Sequence, residues 1–224
     1  MNVQNINMET DDSKLKRLKD ECDKKGYFKN KKEIKWENIK KIGIISKNNT
    51  QGYNDFMKQY NTLIPIIIEE ITLEGVKTSK QCIESIGKLQ NVDVIILIRG
   101  GGDTSEISNS YDKIELFDAI KKSKIPIITA IGHEYDKGDK LLITEVSDKD
   151  YPTPSTAAYE INKIILDPIF KKLNDYLSKI KSMINDKFNK EYEKLYTELK
   201  CLFTDYMNKK FGGPIFKIEN DEKF

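Results

Sequence analysis

Two short motifs place scarce and chemically distinct side chains beside glycines. His133 is the only histidine of the chain, and Asp136 lies three residues after it. Arg99 is one of only two arginines, and it precedes three consecutive glycines, Gly100, Gly101 and Gly102. A guanidinium next to exposed backbone N–H groups is suited to bind a phosphate. A histidine beside a carboxylate is suited to transfer a proton near neutral pH.

Each of these residues also has a simpler structural explanation, which for His133 is a surface histidine or a buried histidine with its hydrogen bonds satisfied. The glycine run matches neither a dinucleotide-binding loop nor a P-loop, so a tight turn beside an ion-paired arginine would account for it. Asp55 begins a predicted helix, where a carboxylate either complements the helix dipole or takes part in chemistry. The acidic residues between Asp136 and Asp148 are explained by a solvated loop. Mg²⁺ is an alternative, but their spacing specifies no metal site, and we expect none.

The elements that must position these residues alternate between strand and helix patterns. Helical patterns cover residues 53–60, 76–89 and 114–122. Apolar runs that are continuous rather than alternating, as expected for strands covered on both faces, occupy residues 41–46, 63–71, 92–98 and 125–131. We therefore expect an α/β fold with a doubly wound, mainly parallel sheet. Arg99, His133 and Asp55 then fall at the carboxyl ends of strands, where such sheets bind ligands.

The two ends of the chain have a different character. Residues 11–25 form a predicted helix that Gly26 ends, and Thr153 caps a second helix with Pro154 at its first position. Apolar residues at steps of three and four from 161 to 206 predict a long amphipathic, coiled-coil-like helix or a helical hairpin, kinked near Pro168. The predicted division is an N-terminal tail and helix, an α/β domain, a helical arm and a tail that returns to the sheet, at residues 1–35, 36–155, 156–211 and 212–224.

The composition excludes several classes of protein. The net charge of the 224 residues is +2 although 33% of them are charged, so the charge argues neither for nor against nucleic acid. No signal segment or membrane span is evident. The distant cysteines Cys22, Cys82 and Cys201 match neither a zinc site nor a disulfide framework. We expect a soluble protein of the cytoplasm.

Taken in order, the motifs resemble the catalytic domain of the exodeoxyribonuclease VII large subunit family. The resemblance covers about residues 14–165. It is carried by a leucine-containing helix that ends in Gly26, Tyr27 and Phe28, by Asp55 after the first strand, and by the sequences RGGG at 99–102, GHEYD at 132–136 and PTPSTAA at 152–158. The resemblance implies hydrolysis of single-stranded DNA to oligonucleotides without a strict metal requirement.

By the same resemblance, the functional positions are Asp55, Arg99, His133 and Asp136, with the three glycines binding the substrate phosphate. The helical arm implies a small helical subunit or self-association as partner, besides single-stranded DNA, and no membrane. About 40 residues precede the first strand, so we expect a homologue that lacks the family's N-terminal oligonucleotide-binding domain. Two alternatives stay open: a non-catalytic assembly protein associated with nucleic acid, and a hydrolase of a nucleotide or other small phosphate ester.

Overall fold

A computed structural model describes residues 11–73, 75–132, 141–184 and 191–211. His133, Asp136 and the tail 212–224 lie outside these described residues. The chain divides into two compact units. The first comprises residues up to Phe56 together with residues 64–157, and the second comprises residues 57–63 together with those from Ala158 onwards.

The first unit is built on a five-stranded sheet in which all neighbouring strands run parallel, in the order β2-β1-β3-β4-β5. The strands are β1 Ile42–Ser46, β2 Ile66–Glu70, β3 Val94–Arg99, β4 Ile127–Ile131 and β5 Lys149–Tyr151. Every residue of β1, β3 and β4 is buried, because helices cover the central strands on both sides. The predicted α/β fold with a parallel sheet is confirmed. From β1 the chain adds β2 on one side of the sheet and then β3, β4 and β5 on the other side. Such a switch point between β1 and β3 leaves a crevice at the carboxyl ends of these two strands.

The helices follow the predicted alternation, with two additions. They are α1 Asp11–Lys24, α2 Gln51–Gln59, α3 Val76–Lys88, α4 Thr104–Tyr111, α5 Ile114–Lys122, α6 Leu142–Val146, α7 Pro154–Ile184 and α8 Glu191–Phe211, with a short 3₁₀ helix at Trp36–Asn38. The sequence pattern does not predict α4, α6 or β5. None of the helices in the described ranges is long and apolar enough to cross a membrane.

Gly26 ends α1 as predicted. Its φ of +70° is left-handed, and two hydrogen bonds close the helix: Gly26 N–H donates to Asp23 O over 2.9 Å, and Tyr27 N–H donates to Cys22 O over 2.9 Å. This pair of bonds is the Schellman arrangement, which glycine favours because it has no Cβ. The chain then turns toward the sheet.

Asp148 ties this N-terminal segment to the amino ends of β4 and β5. Its buried carboxylate accepts hydrogen bonds from the N–H groups of Lys32 and Ile127, each over 2.8 Å, and pairs with Lys32 Nζ over 2.9 Å. The expectation of a solvated loop is therefore wrong for Asp148. Its carboxylate is stable inside because each oxygen has a donor. This anchor lies at the edge of the sheet opposite to the carboxyl ends.

The second unit contains most of α7 and all of α8, which pack against each other as an antiparallel hairpin. Phe170 and Phe203 meet edge to face at 6.4 Å, and Lys181 Nζ lies 3.9 Å from Glu193 Oε1. Since the later residue on α7 meets the earlier one on α8, the two helices run in opposite directions. Of the two predicted alternatives, the hairpin is the observed one. Pro168 lies inside α7, and the kink there stays a prediction.

Apart from the Phe170–Phe203 contact, the hairpin carries apolar side chains that are exposed to solvent. These side chains follow the three- and four-residue steps of the heptad pattern on each helix. They are Ile169, Tyr176, Ile180 and Met183 on α7, and Leu195, Leu199, Leu202 and Tyr206 on α8. We call this set the hairpin stripe.

Candidate active site

A cleft of about 330 Å³ opens at the carboxyl ends of the strands. Segments that follow β1, β2, β3 and β5 supply its walls, and all of its lining residues belong to the first unit. They are Thr50, Gln51, Gly52, Asp55, Leu73, Arg99, Gly100, Gly101, Thr153, Pro154 and Ser155. The β1–β3 switch point therefore carries both Asp55 and Arg99, as the position of ligands in open α/β sheets predicts.

Arg99 is the last residue of β3 and supplies the positive charge of the cleft. Its side chain is 8% exposed, and its Nη1 atom has no hydrogen-bond partner among the described residues. Because Arg99 lines the cleft, its guanidinium supplies a positive charge and hydrogen-bond donors suited to an anion there. Gly102 lies against this guanidinium, since a Cβ at that position would fall 2.9 Å from Nη1.

Asp55 reaches the cleft from the second turn of α2. The helix begins at Gln51 after a tight turn in which Asn49 takes a left-handed φ of 58° and Thr50 Oγ1 donates to Lys47 O over 2.9 Å. Asparagine tolerates this conformation better than most residues. The turn directs the start of α2, with Asp55 one turn later, toward the end of β3.

Gly52 makes this arrangement sterically possible. A Cβ at Gly52 would lie 2.4 Å from Gly100 N and 2.6 Å from Gly100 Cα, which is far inside van der Waals contact. The start of α2 and the loop after β3 therefore touch backbone to backbone. Only glycine permits so close an approach.

Thr153, Pro154 and Ser155 form the wall that follows β5. The prediction of a Thr153 cap is confirmed, because Thr153 Oγ1 accepts a hydrogen bond from Thr156 N–H over 3.1 Å and α7 begins at Pro154. The sequence predicts this motif and its capping role but not its place in the cleft. The missing information was β5, which brings the motif to the same edge of the sheet as Arg99.

Asp103 ends the glycine run in a structural role. Its carboxylate caps α4 by accepting hydrogen bonds from Ser105 N–H over 2.9 Å and Glu106 N–H over 3.2 Å. Hydrogen bonds from the Ser105 side chain and then from these two backbone groups lower the pKa of Asp103 below its usual value. The N-terminus of α4 is thus neutralised by its own cap.

The structure brings together some of the predicted site residues and leaves others undescribed. Asp55 and Arg99 share the cleft with Gly100 and Gly101, whereas Gly102 is not among the lining residues and packs on the guanidinium. His133 and Asp136 lie outside the described residues. The last described residue before them is Gly132, whose N–H donates to Arg99 O over 3.2 Å.

No three histidine, cysteine or carboxylate side chains gather into a metal-binding group within the described ranges. Cys22 and Cys82 are buried free thiols. Burial raises the pKa of Cys22 to about 11, and it also raises the pKa of Cys82. Both cysteines are therefore core residues and not nucleophiles.

Comparison with known proteins gives consistent matches over most of the chain. The family model described as exonuclease VII, large subunit, matches residues 27–211. The exodeoxyribonuclease 7 large subunit of Clostridium botulinum strain Eklund 17B is 34% identical over 217 residues, which cover 87% of this chain and 51% of that protein. The proteins of the same name from Clostridium tetani strain Massachusetts and Clostridium kluyveri strain ATCC 8527 are each 34% identical over 188 residues, covering 81% and 79% of this chain and 46% of each relative. The chain thus spans about half the length of the curated relatives it matches.

Proposed function

This chain belongs to the exonuclease VII large-subunit family, and on that premise we propose that it hydrolyses phosphodiester bonds of single-stranded DNA to give oligonucleotides. The observation that carries the proposal is that Arg99 and Asp55 both line one cleft. Arg99 is buried, its Nη1 has no hydrogen-bond partner among the described residues, and Asp55 lines the cleft at the same β1–β3 switch point. An oxyanion-binding group beside a carboxylate is what water attack on a phosphodiester requires.

The proposed reaction assigns one role to each residue. The Arg99 guanidinium and the N–H groups of Gly100 and Gly101 hold the nonbridging oxygens and neutralise the charge that develops on them as water attacks phosphorus. Asp55 orients the water and accepts its proton. His133, oriented by Asp136, donates a proton to the sugar oxygen as its bond to phosphorus breaks. These groups need no metal-bound water, so we propose that the reaction has no strict metal requirement.

Cleavage of labelled single-stranded DNA tests the proposal directly. The wild-type chain is assayed with MgCl₂ and with EDTA, beside Arg99→Ala, His133→Ala and Arg17→Ala. Arg17 is the other arginine and lies exposed on α1, so its replacement is a matched control for the loss of one guanidinium. We expect the first two variants to lose about 100-fold or more in rate, as for the loss of one oxyanion donor or a general acid, and Arg17→Ala to keep full activity.

Three outcomes would contradict the proposal. Equal cleavage by wild type and all variants would identify a contaminating nuclease. Absence of cleavage by wild type, alone and with a small subunit of the family, would favour the non-catalytic assembly protein. Hydrolysis of bis(p-nitrophenyl) phosphate without cleavage of DNA would favour the enzyme of small phosphate esters.

We also propose that the hairpin stripe binds a partner helix. The relatives are named large subunits, a name that implies a smaller subunit beside them. Exposed apolar residues at heptad spacing form a seam into which the apolar face of another helix can pack. A small helical subunit is the favoured occupant, and a second copy of this chain is the alternative.

A further inference from the structure

We propose that Ser155, at the N-terminus of α7, is a phosphate-binding residue of the cleft, with its N–H and its Oγ both directed to a nonbridging oxygen held next to Arg99. The inference rests on the proposed function only in taking a phosphate-bearing substrate. The four assigned positions Asp55, Arg99, His133 and Asp136 do not include Ser155, and its side chain type alone gives no reason to single it out.

The start of α7 leaves one backbone N–H group without a partner among the described residues. A helix leaves its first backbone donors without partners inside the helix. Pro154 has no N–H, Thr156 N–H donates to Thr153 Oγ1 over 3.1 Å, and Ala157 N–H donates to Thr153 O over 2.9 Å. Ser155 N–H is the donor that remains, and neither it nor Ser155 Oγ is hydrogen-bonded to another described residue.

Arg99, at the end of β3, supports the same site independently of the helix. Arg99 lines the same cleft as Ser155, is 8% exposed, and keeps Nη1 without a hydrogen-bond partner among the described residues. The Arg99 side chain and the two free donors of Ser155 therefore line one cleft. An oxyanion with several acceptor oxygens complements this positive charge and these donors together, and a neutral apolar ligand complements none of them.

The N-termini of α4 and α7 differ in the charge of their caps. The terminus of α4 is closed by the Asp103 carboxylate, which accepts from Ser105 and Glu106. The terminus of α7 has the uncharged cap Thr153 and no acidic residue in its first turn. The positive end of the 31-residue helix α7 is therefore not neutralised from within, which favours an external anion there.

Titration with inorganic phosphate tests this inference without depending on catalysis. Dissociation constants are measured by calorimetry for the wild type, Ser155→Ala, Ser155→Asp and Ser105→Ala, and circular dichroism checks the fold of each variant. Ser105 occupies the same second position in α4, so its replacement controls for a lost hydroxyl at a helix start. Ser155→Asp puts a carboxylate where a helix terminus tolerates it well but where a phosphate would be repelled.

We expect Ser155→Ala to weaken phosphate binding about tenfold, as for one lost hydrogen bond to a charged group. Ser155→Asp should abolish binding while the helix content is kept, and Ser105→Ala should bind as the wild type does. In the DNA assay, Ser155→Ala should raise KM more than it lowers kcat.

Phosphate binding by Ser155→Asp at the wild-type level would overturn the inference, and so would a wild type that binds no phosphate. A wild type that binds phosphate through Ser155 but cleaves no DNA would sink the proposed nuclease function and leave this site standing. If the wild type cleaves DNA but replacing Ser155 leaves the phosphate dissociation constant unchanged, the Ser155 site is wrong and the proposed nuclease function stands.

Discussion

Gly52 and Gly100 lie backbone against backbone, and this contact sets how closely α2 approaches the end of β3. Asp55 and Arg99 are each carried by one of these two segments. A side chain inserted between the segments would move the two functional groups apart although neither of them had changed. The geometry of the cleft thus depends on a residue that has no functional group of its own.

We expect Gly52→Ala to destabilise the protein by about 1–3 kcal/mol, because an added methyl group would overlap the Gly100 backbone. The same change at Gly87 is a matched control. Gly87 lies within α3 and a Cβ there would meet nothing within 4 Å, so Gly87→Ala should stabilise by about 0.5–1 kcal/mol through helix propensity.

Urea unfolding of both variants gives the two free energies. Nuclease activity should fall in Gly52→Ala and stay unchanged in Gly87→Ala. A Gly52→Ala protein with wild-type stability and activity would show that the two segments are free to separate.

At the scale of elements, Asp112 connects the end of α4 to the start of α6. Its carboxylate accepts a hydrogen bond from Ile143 N–H over 2.8 Å and another from Ser108 Oγ over 2.8 Å. Asp112 is buried, and burial raises its pKa above the usual value although these hydrogen bonds act in the opposite direction. Keeping Asp112 charged therefore lowers the free energy of unfolding, while its hydrogen bond to Ile143 N–H fixes the start of the five-residue helix α6.

Replacement of Asp112 separates the hydrogen bonds from the charge. Asp112→Ala leaves Ile143 N–H unpaired and should cost about 1–3 kcal/mol of unfolding free energy. Asp112→Asn keeps an acceptor for this N–H without a buried charge, and it should lie within about 1 kcal/mol of the wild type at pH 7.

The pH dependence has a definite sign. Because the folded pKa of Asp112 is raised, its protonated form stabilises the fold fully below the unfolded pKa of about 4, and this contribution is lost as the pH rises through the folded pKa. The stability of the wild type relative to Asp112→Asn should therefore fall as the pH rises above about 4. Urea unfolding at a series of pH values from 4 upwards measures this fall, and a relative stability that increases with pH would contradict the assigned shift.

The sequence predicts the elements whose signal is local and misses those that depend on distant contacts. The strands β1, β3 and β4 are continuous apolar runs, and α7 begins with a recognisable cap. By contrast, β5 has three residues, of which Lys149 and Asp150 are charged, and it pairs through the neighbouring β4. The helix α4 has eight residues and is separated from the three glycines only by its cap Asp103, and α6 has only five residues. No periodicity can be read from such short segments.

The same distinction explains which site residues were predicted. Arg99 and Asp55 stand out by type and by position after a strand. Gly52 and Ser155 acquire their roles from a partner far along the chain: Gly100 for Gly52, and Arg99 for Ser155. Their contribution is visible only when the sheet brings these segments to one edge.

At the scale of the whole molecule, we expect a single substitution in the hairpin stripe to remove binding of a partner helix. Leu199 is 57% exposed on α8, so glutamate at this position should leave the fold intact. Leu199→Glu should nevertheless abolish binding of a small subunit of the family, because a charge would be buried in an apolar seam. Thr197→Glu adds the same charge to a different face of α8 and serves as the control.

Analytical ultracentrifugation of each variant, with and without the small subunit, measures this prediction. Retention of the complex by Leu199→Glu would place the partner elsewhere on the molecule. A wild-type chain that dimerises by itself, and a Leu199→Glu chain that does not, would identify a second copy as the occupant.

The walls of the cleft come from segments around Thr50, Arg99 and Ser155. A ribosome adds about 5–20 residues per second, so roughly 5–20 s pass between the synthesis of the first wall and that of the last. Until Ser155 has left the ribosome, Arg99 has no cleft to occupy. The cleft that we propose binds phosphate is therefore incomplete while residues 1–154 are being synthesised.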